Sequence, residues 1–438
     1  MDRMRGSNLK LIYDVSLLQA GCNKNAGRSG IFFTVLNILK ELVKREDVDL
    51  FLHCSRGSFS DVKQVLNKEI PGINFQFLIK NNFFYFYNRL KEIRRNASKR
   101  QDYLKKLPSQ LLIVLFSPVN KFITSLELKR TAEEYDAFLS PVYLISDRVM
   151  ARKYVILHDL IPRLFPKYRW DIWGPGNWLY DLCQTLNGDD HYFANSEYTR
   201  RDFLKYYPQI NSEKIKTALL ACDDRFKPNL SNIEAIKEKY GIPKDKKYIF
   251  SLCSLEPRKN LQRSVSTFVK FMIKNNINDM IFILGGEHYG SFIKKLEADI
   301  ENFGEYKDKI IKIGYVDDED LPALYSGAEW FTYTSMYEGF GLPPLEAMSC
   351  GCPVIVSNNS SLPEVVGGAG VLIDWDSDQQ HIEAYEKYYF NPQLRKANRE
   401  KGLARAKEFS WKKCVNTMVE TMKKDCNINS KSDTEKSE

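Results

Sequence analysis

Glu338 and Glu346 bracket the stretch Gly339-Phe340-Gly341-Leu342-Pro343-Pro344-Leu345, and these residue types at this spacing suit a ligand bearing both phosphates and hydroxyls. A glycine loop running into a short helix leaves backbone N–H groups at the helix start, where the aligned peptide dipoles favour negative charge. Gly339 and Gly341 lack Cβ, so a ligand can approach the backbone closely. Carboxylates repel phosphate, so Glu338 and Glu346 suit hydroxyl groups instead. Together they fit a nucleotide sugar, with its diphosphate on the N–H groups of Gly339, Phe340, Gly341 and Leu342 and its hydroxyls on the acids. A capped helix with two solvated glutamates would carry the same letters.

The flanking residues predict the elements that hold this stretch. Glu329 to Thr334 has the aromatic and Thr content of a buried strand, and Pro344 fits the first helical position, where a missing N–H costs nothing. Gly351 fits the position just past the helix end, and Pro353 stops continuation before the strand Val354-Ile355-Val356. A second such unit lies upstream, where the strand Lys247 to Ser254 runs into Leu255-Glu256-Pro257-Arg258-Lys259-Asn260-Leu261. Arg258 and Lys259 at this turn can neutralise a diphosphate, and a solvated basic turn is the plain alternative.

The first half repeats the strand-loop-helix logic. Leu9 to Asp14 reads as a strand, Gln19 to Ser29 as a loop, and Gly30-Ile31 as the opening of a helix through Leu42. Gly27-Arg28-Ser29-Gly30 is then a tight turn or a ligand loop of a doubly wound domain. Asp49 to His53, Asp136 to Pro141 and Lys153 to Pro162 read as further strands. His158-Asp159 falls at a strand's C-terminal end, where open parallel sheets bind ligands, although a single His is more often structural. Ser196 caps a helix after the strand at Asp190 to Ala194. In the second half, Met280 to Leu284 enters a glycine turn at Gly285, and Ile310 to Val316 is another strand, followed by an acidic helix start at Asp317 to Asp320.

Length and composition bound the possibilities. The chain has 438 residues, enough for two domains, with 43% apolar and 27% charged residues, as in globular proteins. A net charge of +8 permits attraction to phosphates or anionic lipid without demanding either. No recognition-helix or RNA-binding signature points to nucleic acid. The start of the chain lacks an apolar signal segment, and no run approaches the ~18 apolar residues of a spanning helix. Nine scattered cysteines read as reduced thiols of a cytoplasmic protein. Residues 83–130 interleave aromatic and basic side chains, as a surface lying on anionic membrane lipid does, or as two amphipathic helices with solvated basic faces do.

The Glu-x7-Glu spacing, with Gly-Phe-Gly-Leu-Pro-Pro inside it and Ala347-Met-Ser-Cys-Gly-Cys-Pro-Val-Ile355 behind it, resembles the signature of the retaining glycosyltransferase family 4. The resemblance implies an α/β GT-B fold: two Rossmann-like doubly wound domains facing each other across a cleft. Residues 1–225 would bind the acceptor and 226–405 the nucleotide sugar. Residues 406–426 would form a terminal helix crossing back to the first domain, and 427–438 a disordered tail. The resemblance further implies that Gly30 and its loop touch the donor diphosphate, as do Arg258 and Lys259. His158 would contact the transferred sugar, Glu338 its hydroxyls and Glu346 the ribose. Gly285 would also lie on the donor side, and Tyr315 and Val316 would border the base.

In such an enzyme the charge leaving with the diphosphate is met by cations and N–H groups, with no metal and no cofactor expected. Asp374-Trp375-Asp376 has the letters of a metal motif but lies after the signature, where a loop carboxylate pair is the plainer reading. His158 to Pro162 and Phe409-Ser410-Trp411 resemble mannosyltransferase-like members that build bacterial surface polysaccharides. That tilts the expected donor toward GDP-mannose over UDP-hexoses, with a saccharide or lipid-linked acceptor and a peripheral position at the inner membrane face. Rival classes are a nucleotide-sugar hydrolase or epimerase of the same fold and a non-catalytic sugar-binding protein.

Overall fold

The computed structural model describes residues 8–22, 30–54, 58–78, 134–142, 149, 151–166, 178–286 and 292–428. The loop residues Gly27 to Ser29, the 83–130 region and the chain beyond Ile428 lie outside the described residues.

Two six-stranded parallel sheets form the frame. The first contains β1 (Leu9–Asp14), β2 (Val48–His53), β3 (Ala137–Ser140), β4 (Arg152–Leu157), β5 (His191–Ala194) and β6 (Ile215–Thr217), ordered β2-β1-β3-β4-β5-β6. The second contains β7 (Lys247–Leu252), β8 (Met280–Gly285), β9 (Ile310–Gly314), β10 (Trp330–Tyr333), β11 (Val354–Ser357) and β12 (Val371–Ile373), ordered β12-β11-β10-β7-β8-β9. Helices cover both faces, so central strands such as β8, β10 and β11 are buried at every position and read as continuous apolar or aromatic runs. Each sheet therefore reverses its winding once, between β1 and β3 in the first and between β7 and β10 in the second. At such a reversal the loops leaving two neighbouring strands diverge to opposite faces and open a crevice. This is why the loops after β7 and β10, 80 residues apart, meet.

Six helices bear on the site: α1 (Gly30–Leu42), α2 (Glu197–Tyr206), α3 (Leu261–Asn275), α4 (Leu342–Ser349), α5 (Leu362–Val366) and α6 (Trp411–Asp425). Helix α6 follows the second domain in sequence yet packs on α1 and β1 of the first. Its buried residues Trp411, Cys414, Val415, Met418, Val419 and Met422 recur at helical spacing and form one apolar stripe. Its polar edge is tied down as well: Lys423 Nζ lies 2.6 Å from Asp47, and Asp425 accepts from Tyr154 Oη at 3.0 Å and pairs with His191 at 2.8 Å. Among the described residues no helix is long and apolar enough to cross a membrane.

Candidate functional site

After β7 the chain makes a 3-10 turn at Pro257–Lys259, and Asn260 takes a left-handed conformation (φ 59°) that redirects it into α3. Because β10 lies beside β7, the loop after β10 runs over this turn, and the Met336 N–H donates to the Arg258 carbonyl at 2.9 Å. Glu338 Oε1 thereby accepts from Arg258 Nη1 at 2.9 Å and from Lys259 Nζ at 2.7 Å. The Lys259 ammonium also donates to Tyr333 Oη at 2.6 Å, and Arg258 pairs with Glu256. All three charges are nearly buried, with Arg258 4%, Lys259 8% and Glu338 8% exposed. Burial alone would raise the Glu338 pKa, but the adjacent Arg258 and Lys259 outweigh it and hold the carboxyl down at about 2.

The loop Gly339 to Leu342 presents its N–H groups in a row. Its carbonyls are held from behind by hydroxyls: Ser361 Oγ donates to Glu338 O at 3.0 Å and to Phe340 O at 2.6 Å. From the first domain, Ser196 Oγ and Thr199 Oγ1 donate to Gly339 O at 2.7 and 3.0 Å. The N–H groups of Gly339, Phe340, Gly341 and Leu342 donate to no atom among the described residues. Four successive free N–H groups make an anion-binding concavity whose donors are fixed before any ligand arrives.

The helix start differs from the sequence expectation. Helix α4 begins at Leu342, capped by Gly341 at φ +111°, so Pro344 is its third residue rather than its first. Pro343 and Pro344 remove two of the N–H groups a helix start would offer. The anion-binding capacity therefore resides mainly in the loop before the helix.

Gly339 and Gly341 are also needed for a reason other than ligand approach. A Cβ on Gly339 would stand 2.0 Å from the His158 carbonyl oxygen and 2.9 Å from Asp159 Cβ, and one on Gly341 would stand 2.8 Å from Leu362 Cδ2. Gly339 is where the two domains touch backbone to backbone. Two further ties hold the seam. Glu364 of α5 accepts from the first-turn N–H groups of Glu197 and Tyr198 in α2 at 2.9 and 3.2 Å, and Tyr337 Oη donates to Asp202 at 2.6 Å. A carboxylate from one domain thus caps a helix of the other. Gly339→Ala is expected to leave both sheets folded but prise the domains apart. Displacement of reacting groups by about 1 Å costs on the order of 100-fold in kcat/KM. Wild-type turnover in the variant would show that the seam can yield.

Between the domains lies a cleft of ≈ 500 Å³. From the first domain it is lined by Gly30, His158, Asp159 and Asn195, and from the second by Arg258, Lys259, Tyr315, Val316, the run Glu338 to Pro343, and Glu346. The buried His158 donates from Nε2 to the Pro141 carbonyl at 2.7 Å, and burial lowers its pKa, leaving a neutral ring with a bare Nδ1. Glu346 accepts from Tyr325 Oη at 2.9 Å. Burial raises the Glu346 pKa to about 7, with Asp318 and Asp223 adding to the rise against the pull of Tyr325 and Arg225. Arg225, from the interdomain link, covers the Phe33 ring at 4.9 Å and approaches Asp318 to 3.8 Å.

Of the donor-site and sugar-site residues that the resemblance implied, Gly285 is not on this wall, and the loop Gly27 to Ser29 lies outside the described residues. Gly285 packs beneath the wall against Leu252, Phe250 and Val316, and the next residue, Gly286, faces the cleft instead. There φ is +129° and a Cβ would overlap the Cys253 carbonyl at 1.8 Å, so only glycine fits. Sequence reasoning also missed Asn195, Arg225, Asp318, Tyr333, Ser360 and Ser361. The adjacent serines after β11 were the one visible signal: Ser361 pins the loop carbonyls, and Ser360 Oγ accepts from the Glu338 N–H at 3.0 Å.

Residues 232–405 match the family described as glycosyl transferases group 1. Over 244 residues the chain is 33% identical to O-antigen chain mannosyltransferase B of Escherichia coli, covering 55% of this chain and 62% of that protein. Over 285 residues it is 27% identical to the serotype-specific mannosyltransferase WbdA of Escherichia coli, covering 64% of this chain and 34% of that protein. The chain thus spans less than two thirds of the length of either relative. Its fold matches the crystal structure of Anabaena Alr3699/HepE in complex with UDP and glucose, with a TM-score of 0.65, 17% identity, and 95% of this chain and 100% of that one covered. With its second sheet inside the matched segment, the chain carries a glycosyl transferases group 1 domain over residues 232–405 and has the GT-B fold.

Proposed function

We propose that this chain is a retaining glycosyltransferase that moves a hexose from a nucleotide sugar to a saccharide acceptor, in lipid-linked form, during cell-surface polysaccharide assembly. The observation that carries this reading is the run of four free N–H groups at Gly339 to Leu342, on the same cleft wall as the Arg258–Lys259–Glu338 cluster. A sugar-phosphate bond breaks with its electron pair on the departing diphosphate. Donors preorganised around that charge lower the barrier without reorganising. The third Lys259 proton and the loop N–H groups meet the phosphates. Glu338 Oε2, which accepts from neither cation, takes sugar hydroxyls, and the neutral His158 lies on the sugar side. The acceptor hydroxyl attacks C1 and passes its proton to the departing phosphate oxygen.

The names of the relatives, an O-antigen chain mannosyltransferase and a serotype-specific mannosyltransferase, support mannose as the hexose. GDP-mannose is favoured over UDP-hexoses for a physical reason too. Asp318 on the cleft wall by Val316 suits the adjacent N1–H and N2–H groups of guanine, whereas uracil offers a single N–H between carbonyls. Tyr315, 44% exposed, lines the cleft close to it in the chain, and Glu346 takes the ribose hydroxyls. Arg258 and Lys259 supply the cationic charge in this reading, with no metal, and the protein works at the inner face of the membrane.

Calorimetric titration with GDP and UDP tests the reading. GDP is expected to bind at micromolar concentration, more tightly than UDP and unchanged by EDTA. Glu346 carries a raised pKa of about 7, so its hydroxyl-accepting carboxylate form grows as pH rises through neutrality. GDP affinity should therefore rise up to about tenfold from pH 6 to pH 8, and Glu346→Gln should flatten that slope. Folded protein that binds neither nucleotide would overturn the reading; binding followed by acceptor-independent sugar release would turn it into a hydrolase.

A further inference from the structure

The first domain's side of the cleft holds a polar group with no side-chain hydrogen bond among the described residues. Asn195 follows β5 as His158 follows β4, and because Leu157 and Ala194 are register partners, the two residues stand side by side at neighbouring strand ends. The Asn195 N–H donates to the Leu157 carbonyl at 3.2 Å, which fixes its backbone there. Asn195 is 4% exposed, its Oδ1 is buried without a partner, and its side chain makes no hydrogen bond among the described residues.

The next polar side chains on this turn are all engaged. Ser196 caps α2 and holds the Gly339 carbonyl, and Thr199 holds the Gly339 and His158 carbonyls. Glu197 is held by Arg200 and Thr217 within the first domain, whereas the Asn195 side chain has no such bond among the described residues. A primary amide carries two N–H donors and an acceptor, and folded proteins rarely bury one unpaired. Such a group at a cleft wall is satisfied when a ligand arrives. Being neutral and both donor and acceptor, it matches a hydroxyl and not a phosphate, and the bare Nδ1 of His158 adds a second acceptor beside it.

We propose that Asn195, with His158, forms a hydroxyl-binding subsite that takes a sugar ring on the first-domain side of the cleft. This rests on the glycosyltransferase reading above. The ring is the donor's hexose or the acceptor's terminal residue, which offer the same chemistry.

The test uses Asn195→Ala, with Asn195→Asp as a near-isosteric partner that keeps the acceptor oxygen but loses the donors. GDP affinity is expected to stay within about twofold, because the nucleotide is held by the second domain. Losing hydrogen bonds to a sugar hydroxyl should cost about tenfold in binding. In the donor arm, GDP-mannose affinity falls by that factor while GDP affinity holds. In the acceptor arm, the KM for a mannose-terminated oligosaccharide rises by that factor while GDP-mannose affinity holds. The unfolding temperature of Asn195→Ala should stay level or rise, since an unpaired buried amide is removed.

A folded variant with GDP, GDP-mannose and acceptor parameters all unchanged would overturn the subsite. So would a fall in unfolding temperature with equal losses for GDP and GDP-mannose, which marks a structural role. If the unsubstituted chain binds no nucleotide, the functional reading fails first and the subsite with it.

Discussion

Lys259→Ala is expected to lose between about 100- and 1000-fold in kcat, the usual effect of removing one preorganised donor from a developing anion. On the proposed placement of Lys259 at the diphosphate, GDP binding should also weaken by roughly 10- to 100-fold. Stability should change little, because Glu338 keeps Arg258 at 2.9 Å as its counterion. Lys259→Arg should not restore activity. The ammonium sits 2.6 Å from Tyr333 Oη and 2.7 Å from Glu338 in a site only 8% exposed, too tight for a planar guanidinium. Steady-state kinetics and calorimetry on the two variants decide the point. Near-normal turnover in Lys259→Ala would remove the cation from the reaction and leave the loop N–H groups to act alone.

Glu338→Gln should behave differently. It leaves Arg258 and Lys259 buried together with Glu256 as the remaining ion-pair partner among the described residues, and breaking a buried charge cluster in this way costs about 3–5 kcal/mol. Denaturant unfolding should show that loss in the free protein. GDP should bind at least as tightly as before, since one more positive charge faces the phosphates, and saturating GDP should recover much of the lost stability. Transfer should still fall at least 100-fold, because the carboxylate that steadies Lys259, and that we propose receives sugar hydroxyls, is gone. A Glu338→Gln protein as stable as the parent would show that the three charges do not depend on one another in solution. Lys259→Ala thus separates activity from stability, and Glu338→Gln joins them.

Much of this site is legible in the sequence because its signals are local. Pro257-Arg258-Lys259-Asn260 marks a strand-to-helix turn through residues that are chain neighbours, and Glu338 to Gly351 carries its loop, helix and stop signals in one continuous run. Local sterics and backbone hydrogen bonding fix such units wherever they sit. The misread helix start shows the limit of that approach: Pro-Pro is compatible with the first turn in more than one register, and the left-handed Gly341 selects the one that starts at Leu342. Gly285 was misread for a similar reason, since adjacent glycines look alike until the Cys253 carbonyl shows which one must lack a side chain.

Residue types and spacing determined that this chain has two strand-loop-helix domains, a phosphate-friendly loop and a pair of cations at a matching turn. Tertiary structure decided what these groups face. Glu338 meets Arg258 and Lys259 because the winding reversal makes β7 and β10 neighbours, so a carboxylate read as reaching for hydroxyls also offsets two buried charges. Gly339 must be glycine because the His158 carbonyl of the other domain stands against it, and the unpaired amide of Asn195 is visible only once its surroundings are in place. A sequence records what each residue can donate, accept or bury. Which partner is there to receive it depends on packing between segments far apart in the chain, and no local pattern encodes that.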